Sequence, residues 1–201
     1  MGLNYQKLSD ENNIPIQGPL LVIPNVFKDE RGFFMESWNY KEWKILLEEN
    51  EQISVPFLQD NHSKSSIGVL RGLHYQIDPH PQGKLVRCIS GEIYDVAVDI
   101  RKNSPTFGKY VGAQLSSLNH YQLWIPTGFA HGFITISDTA EVSYKTTDYW
   151  NKESERSIIW NDPTINIKWP LNLLEQNDLI ISSKDLAAPK LKELKSQDIF
   201  P

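Results

Sequence analysis

Between residues 55 and about 169 the chain is dominated by short strand-like runs with turn signals rich in proline, glycine and aspartate between many of them. A two-residue period puts successive side chains on opposite faces of a strand. The clearest case is 92–100, where Ile93, Asp95, Ala97 and Asp99 project one way and Tyr94, Val96, Val98 and Ile100 the other. Further strand signals fall at 55–61, 68–76, 83–90, 110–115, 121–125, 132–136 and 141–147. Turn signals such as Asp78-Pro79, Pro81-Gln82-Gly83, Ser104-Pro105 and Pro126-Thr127-Gly128 lie between them. Many short strands without helical spacers predict an antiparallel sandwich or barrel rather than a parallel sheet. The clearest helix is expected over 38–50, capped by Ser37 or Asn39, with Trp43, Leu46 and Leu47 on one face.

Around this β region, 19–170, the ends read differently. Residues 1–18 are polar and aperiodic and predict an N-terminal arm, while 171–201 predict a tail of short helical pieces packed on the barrel. A length of 201 residues with 40% hydrophobic and 22% charged residues suits one globular domain. The net charge of −5 gives no support to nucleic-acid binding. Cys88 is the single cysteine, so an internal disulfide and a multi-thiolate zinc site are excluded. No apolar run approaches the roughly 20 residues of a membrane span. The N-terminus lacks a signal-peptide apolar region, and a cytoplasmic protein is expected.

Chemistry concentrates in Arg71-Gly72-Leu73-His74-Tyr75-Gln76, followed by Lys84-Leu85-Val86-Arg87. Histidine exchanges a proton near neutral pH, and lysine and arginine stabilise negative charge on oxygen. The segment also reads as a plain hairpin with solvated basic side chains, and His74 and His131 as satisfied structural histidines. Metal ligands on a strand favour two-residue spacing, but His74 has Gly72 and Gln76 two positions away, and His131 has Phe129 and Phe133. Neither a phosphate-binding glycine loop nor a dinucleotide fingerprint is present, so neither a metal nor a cofactor is expected. Without either, proton abstraction next to a ketone fits a histidine base, a cation at the enolate oxygen and a second acid such as Tyr144. Strict alternation puts Arg71 and His74 on opposite faces, and a bulge at Gly72 would bring them together. A base histidine works better with a carboxylate partner, which the residues alone do not select among 25 acids.

The chain resembles the dTDP-4-dehydrorhamnose 3,5-epimerase family, cofactor-independent sugar-nucleotide epimerases of the dTDP-L-rhamnose pathway. The resemblance rests on ordered blocks: Asp29-Glu30-Arg31-Gly32-Phe33-Phe34, Gln59-Asp60-Asn61-His62-Ser63, the 68–76 and 83–87 segments, Ile125-Pro126-Thr127-Gly128-Phe129-Ala130-His131-Gly132-Phe133, Tyr144-Lys145 and Ser183-Lys184-Asp185. It implies a cupin-type antiparallel β-jelly roll with a few short peripheral helices, assembled as a homodimer. It further implies His74 as base, Asp185 as its carboxylate partner, Lys84 as enolate-stabilising cation and Tyr144 as the opposite-face proton donor. Arg71, His131, Gln59, Asn61 and Glu155 would contact a dTDP-4-keto-6-deoxy sugar substrate. Arg31, Glu36 and Phe27 would reach the nucleotide from the neighbouring subunit, and Tyr149 and Trp150 would stack on the thymine ring. Trp150 stands where another aromatic is usual, and the stretch before Ile16 is longer than the family core requires. The implied reaction is epimerisation at C3 and C5. Single-centre epimerisation, a non-catalytic sugar-nucleotide-binding barrel and a metal-dependent cupin enzyme are the alternatives.

Overall fold

The computed structural model describes residues 3–174 and 179–201; Met1 and Gly2 of the expected arm and residues 175–178 of the expected tail lie outside the described residues. The chain begins with β1 (Asn4–Ser9), β2 (Pro15–Ile23), β3 (Phe27–Asp29), β4 (Gly32–Phe34) and the helix α1 (Tyr40–Glu49). Then follow β5 (Gln59–Ser66), β6 (Val69–Gln76), β7 (Lys84–Ser90), β8 (Glu92–Asp99), β9 (Tyr110–Ser116) and β10 (Gln122–Ile125). The last elements are β11 (Phe129–Thr135), β12 (Thr139–Thr146), β13 (Glu155–Ser157), β14 (Ile180–Ile181) and the short helix α2 (Ser183–Leu186). One sheet runs β1-β2-β10-β7-β12-β5 and the other β13-β6-β11-β8-β9, with β14 parallel to β6. The two face each other as the expected β-jelly roll.

Residues 4–9, where no period is legible, pair with β2, Asn4 opposite Ile23 and Lys7 opposite Leu20. Most of β1 is exposed, so its pairing leaves little imprint on side-chain polarity. Asn39, one of the two expected caps, accepts a hydrogen bond from the Lys41 amide at the start of α1. Among the described residues no helix is long and apolar enough to cross a membrane.

Alternation along β8 divides the core. Ile93 and Ala97 face inward to meet Val86, Leu123, Phe129 and Val142 between the sheets. Val96, Val98 and Ile100 face outward against Ile158, Ile165, Trp169 and Leu191 of the C-terminal segment. On the far side of the other sheet, Trp43, Leu46 and Leu47 of α1 cover Leu20, Val22, Leu85 and Trp124. Each fully buried side chain of this size contributes about 1.5–3 kcal/mol.

The irregularity that shapes the site lies in β6. His74 pairs with His131 but Arg71 with Phe133, so three steps on β6 answer two on β11. This is the bulge expected at Gly72, and it returns Arg71 and His74 to one face. Gly72 has φ +119, and a Cβ there would lie 2.6 Å from Gly132 Cα and 2.7 Å from the His131 carbonyl oxygen. Only glycine fits both constraints. Gly72→Ala is therefore expected to lower unfolding free energy by about 1–3 kcal/mol. Denaturant unfolding checks this, and an unchanged midpoint would contradict it.

Candidate active site

Both sheets open at one end into a cavity of about 830 Å³. Its wall holds Gln59 and Asn61 of β5, Arg71 and His74 of β6, Lys84 of β7, His131 of β11, Tyr144 of β12, and Glu155 of β13. A cavity this size admits a drug-sized ligand.

At the cavity wall a histidine is held by a carboxylate from far along the chain. His74 Nε2 lies 2.6 Å from Asp185 Oδ1. Asp185 Oδ2 accepts the Gly72 amide at 3.3 Å, so the bulge and the pair are one unit. The parallel pairing of Ile180 with Val69 and Ile181 with Leu70 carries α2 onto β6 and delivers Asp185. The Ser182 hydroxyl caps α2 by accepting the Asp185 amide at 3.1 Å. Burial alone would raise the Asp185 carboxyl, but the His74 bond and charge, the Gly72 amide and Ser182 outweigh it and hold it below the usual range. With Nε2 engaged, Nδ1 is the ring nitrogen left for the cavity.

A second pair sits beside the first. His131 Nε2 lies 2.7 Å from Asp95 Oδ1, both side chains being buried. Asp95 belongs to the inward set of β8 and sits opposite Phe133, diagonal to His131 on the same face. Burial pushes its carboxyl up, against the pull of His131 and Lys84.

Lys84 is only 6% exposed. Burial draws its ammonium down to about 8, against the Asp95 and Glu155 carboxylates, which hold it up. Tyr144 is half-buried, and burial raises its phenol, with Arg71 opposing and Glu155 adding. It therefore stays protonated at neutral pH. Arg71 is steadied by Ser65 Oγ at 3.1 Å and the Lys64 carbonyl at 3.4 Å, both on β5.

The mouth is fixed by amides. Gln59 Nε2 donates to Asn61 Oδ1 at 2.9 Å, and Gln59 Oε1 accepts the Trp150 amide at 3.0 Å. Gln76 Nε2 donates to the Tyr149 carbonyl at 3.1 Å. Glu155 pairs with Lys184 at 2.6 Å. Burial alone would raise the Glu155 carboxyl, but Lys184, Trp150 and His74 together outweigh it and the net shift is downward.

His74, Lys84, Tyr144, Asp185, Arg71, His131, Gln59, Asn61 and Glu155 are thus brought to one cavity. Tyr149 is 61% exposed and stands outside the lining, where its neighbour Trp150 takes the place. Phe27, Arg31 and Glu36 do not line their own chain's cavity; they lie on or just after the exposed β3–β4 ribbon, where Arg31 pairs with Asp29. His62, His80 and His120 also lie outside the lining. Sequence reasoning passed over Asp95, Gln82 and Lys184. Asp95 carries a signal in hindsight, because an acid on the inward face of an alternating strand needs a partner. Among the described residues no group of three or more His, Cys, Asp and Glu side chains is placed to hold a metal ion.

Chemically, the cavity sets a carboxylate-held imidazole on one sheet against a phenol and a buried ammonium on the facing sheet. Such a set can take a carbon-bound proton, hold an enolate oxygen and return a proton from the other side.

A family model described as dTDP-4-dehydrorhamnose 3,5-epimerase matches residues 13–193. A dTDP-4-dehydrorhamnose 3,5-epimerase of Shigella flexneri is 58% identical over 171 residues, covering 85% of this chain and 90% of that protein. One of Pseudomonas aeruginosa is 51% identical over 188 residues, covering 94% and 97%. A solved dTDP-6-deoxy-D-glucose-3,5-epimerase from Legionella pneumophila, in complex with dTDP-4-keto-L-rhamnose, matches with a TM-score of 0.87 and 44% identity over 98% of each chain.

The buried ammonium gives a direct expectation. Nitrogen-15 NMR of the lysine side chains should show one group losing its proton near pH 8, absent from Lys84→Met. If every lysine titrates in the ordinary range, the electrostatic description of Lys84 fails.

Proposed function

The chain belongs to the dTDP-4-dehydrorhamnose 3,5-epimerase family, and from that membership and the cavity we propose how its side chains carry the reaction. The protein is an isomerase that inverts C3 and C5 of dTDP-4-dehydro-6-deoxy-D-glucose to give dTDP-4-dehydro-L-rhamnose, in dTDP-L-rhamnose biosynthesis. The observation that carries the proposed mechanism is the 2.6 Å contact between His74 and Asp185 at the wall of a cavity shared with Lys84 and Tyr144.

The 4-keto group acidifies the protons on both neighbouring carbons. His74 takes one of them on Nδ1, and the C–H electron pair passes through the forming C=C bond onto the ketone oxygen. Lys84 holds that enolate oxygen, a contribution of ~3–4 kcal/mol for a fixed donor in a water-poor site. Asp185 stabilises the imidazolium and fixes the ring. Tyr144 then gives its hydroxyl proton to the opposite face of the carbon, and the ketone re-forms. Solvent returns a proton to the phenolate and removes one from the imidazolium. Positioned proton transfer contributes ~10²–10⁴-fold. Opposite-face delivery is supported by the placement of His74 and Tyr144 on facing sheets.

Arg71 and His131 are assigned to the sugar and diphosphate oxygens, Gln59, Asn61 and Glu155 to the nucleotide, and Tyr149 with Trp150 to the thymine ring. A homodimer belongs to the same proposal. The β3–β4 ribbon presents Phe27, Phe33 and Phe34 to solvent, the last 68% exposed. Phe27 and Phe34 are register partners on one face of the ribbon, and paired exposed apolar rings of this kind support an interaction site there. Phe27, Arg31 and Glu36 would then reach the partner's cavity. A cytoplasmic setting completes the proposal.

With the 4-keto substrate in D₂O, proton NMR should show deuterium entering at both C3 and C5; label at one centre only would contradict double epimerisation. His74→Ala should lose exchange at both carbons while still binding dTDP, and an active variant would overturn the base assignment. Tyr144→Phe should still exchange protons through His74 but invert neither centre at an appreciable rate. Phe34→Glu should shift sedimentation from dimer toward monomer, and a monomeric wild type would contradict the assembly.

A further inference from the structure

Behind the cavity, the last residues of the chain cross the outer side of β6 and β13. A 3₁₀ turn at Ser196–Asp198 is followed by Phe200, whose carbonyl accepts the Lys102 amide at 2.8 Å and whose ring lies 6.5 Å from that of Tyr75. Asp198 meets both strands. Its carbonyl accepts the Tyr75 hydroxyl at 2.6 Å, and its carboxylate accepts Arg156 Nε at 2.6 Å. Tyr75 and Arg156 are register partners, so one residue holds adjacent strands at the same level. Each is followed or preceded by a cavity residue: His74 precedes Tyr75, and Glu155 precedes Arg156.

The strand that needs this hold is β13. It has three residues and lies at the end of its sheet, paired among the described residues to β6 alone. Arg156 closes a chain of contacts there: besides Asp198 it donates through Nη1 to the Glu155 carbonyl at 2.9 Å and the Glu153 carbonyl at 2.8 Å. The Arg156 and Asp198 side chains are 30% and 15% exposed, so the ion pair is largely shielded from solvent. A shielded, charge-assisted bond of this kind fixes geometry better than an exposed one.

We propose that Asp198 is a positioning residue for substrate binding: through Arg156 it fixes the backbone of Glu155 and so the carboxylate that β13 presents to the cavity. The inference rests on the reading of Glu155 as a substrate contact. It predicts a division of labour within one residue. The Asp198 side chain serves Glu155, whereas its carbonyl, which a side-chain change leaves in place, serves Tyr75 and the strand that carries His74. Removing the carboxylate therefore loosens binding and spares the chemical step.

The test is steady-state kinetics of the full-length protein with the 4-keto sugar nucleotide, for Asp198→Ala, Asp198→Glu, Glu155→Gln and the Asp198→Ala/Glu155→Gln double variant. Asp198→Ala should raise KM about tenfold, the loss expected for one hydrogen bond to a charged group. Its kcat per folded active site, counted by dTDP titration, should stay within about twofold, within the scatter of independent sites. Asp198→Glu should recover most of the loss, and the double variant should be no worse than Glu155→Gln alone. A purely structural role would instead lower kcat and the count of active sites together, which overturns the proposal. An Asp198→Ala KM equal to wild type, with Glu155→Gln impaired, overturns the positioning role alone. A Glu155→Gln variant with normal KM overturns the reading of Glu155 and this inference with it.

Discussion

A hydrogen bond of 2.6 Å between His74 and Asp185 joins segments 111 residues apart, and the arrangement of the cavity follows from it. Beside the bond β6 bulges at Gly72, and without that bulge an unbroken two-residue period would turn Arg71 away from His74. To reach it, the chain must return along β14 beside β6 after covering the outer face of the sheet with Ile158, Ile165 and Trp169. The same carboxylate accepts the bulge amide at 3.3 Å, so the irregular backbone and the imidazole are held by one group. Fold and proposed chemistry meet at this point.

Electrostatics explains why the surrounding residues are buried. An ammonium 6% exposed would be costly on its own, and Asp95 and Glu155 offset part of that cost. Asp95 in turn hydrogen-bonds His131 on its own sheet, while its carboxylate faces the Lys84 ammonium from the other. The net effect keeps Lys84 charged at neutral pH but only loosely so, which suits a cation that must tighten on an oxygen as charge develops there. Tyr144, whose phenol burial raises, is the complementary case: its proton is held firmly, as the proposed opposite-face donor requires. Facing sheets give such groups access to both faces of a flat intermediate. A single sheet could not.

Much of this was legible in the chain, for physical reasons that differ by element. The β8 alternation was clear because one of its faces meets the inter-sheet core and the other the C-terminal segment. The bulge at Gly72 could be anticipated from the conflict between His74 and Arg71. By contrast, a strand was expected at 55–61 but β5 runs Gln59–Ser66, an entirely polar sequence. Its inward side chains line a wet cavity and its outward ones face solvent, so burial alternates while polarity does not. The β1 pairing was hidden for a related reason, being mostly exposed. Asp185 could not be chosen from residues alone, since no local pattern marks a carboxylate that matters only after a parallel crossing; the family resemblance supplied it.

The tautomer of His74 tests the central claim most directly. Nitrogen-15 NMR of the free enzyme at neutral pH should find the proton on Nε2, in a strongly deshielded hydrogen bond that disappears in Asp185→Asn, with Nδ1 bare and facing the cavity. A proton resting on Nδ1, or a His74 signal indifferent to Asp185, would contradict the account.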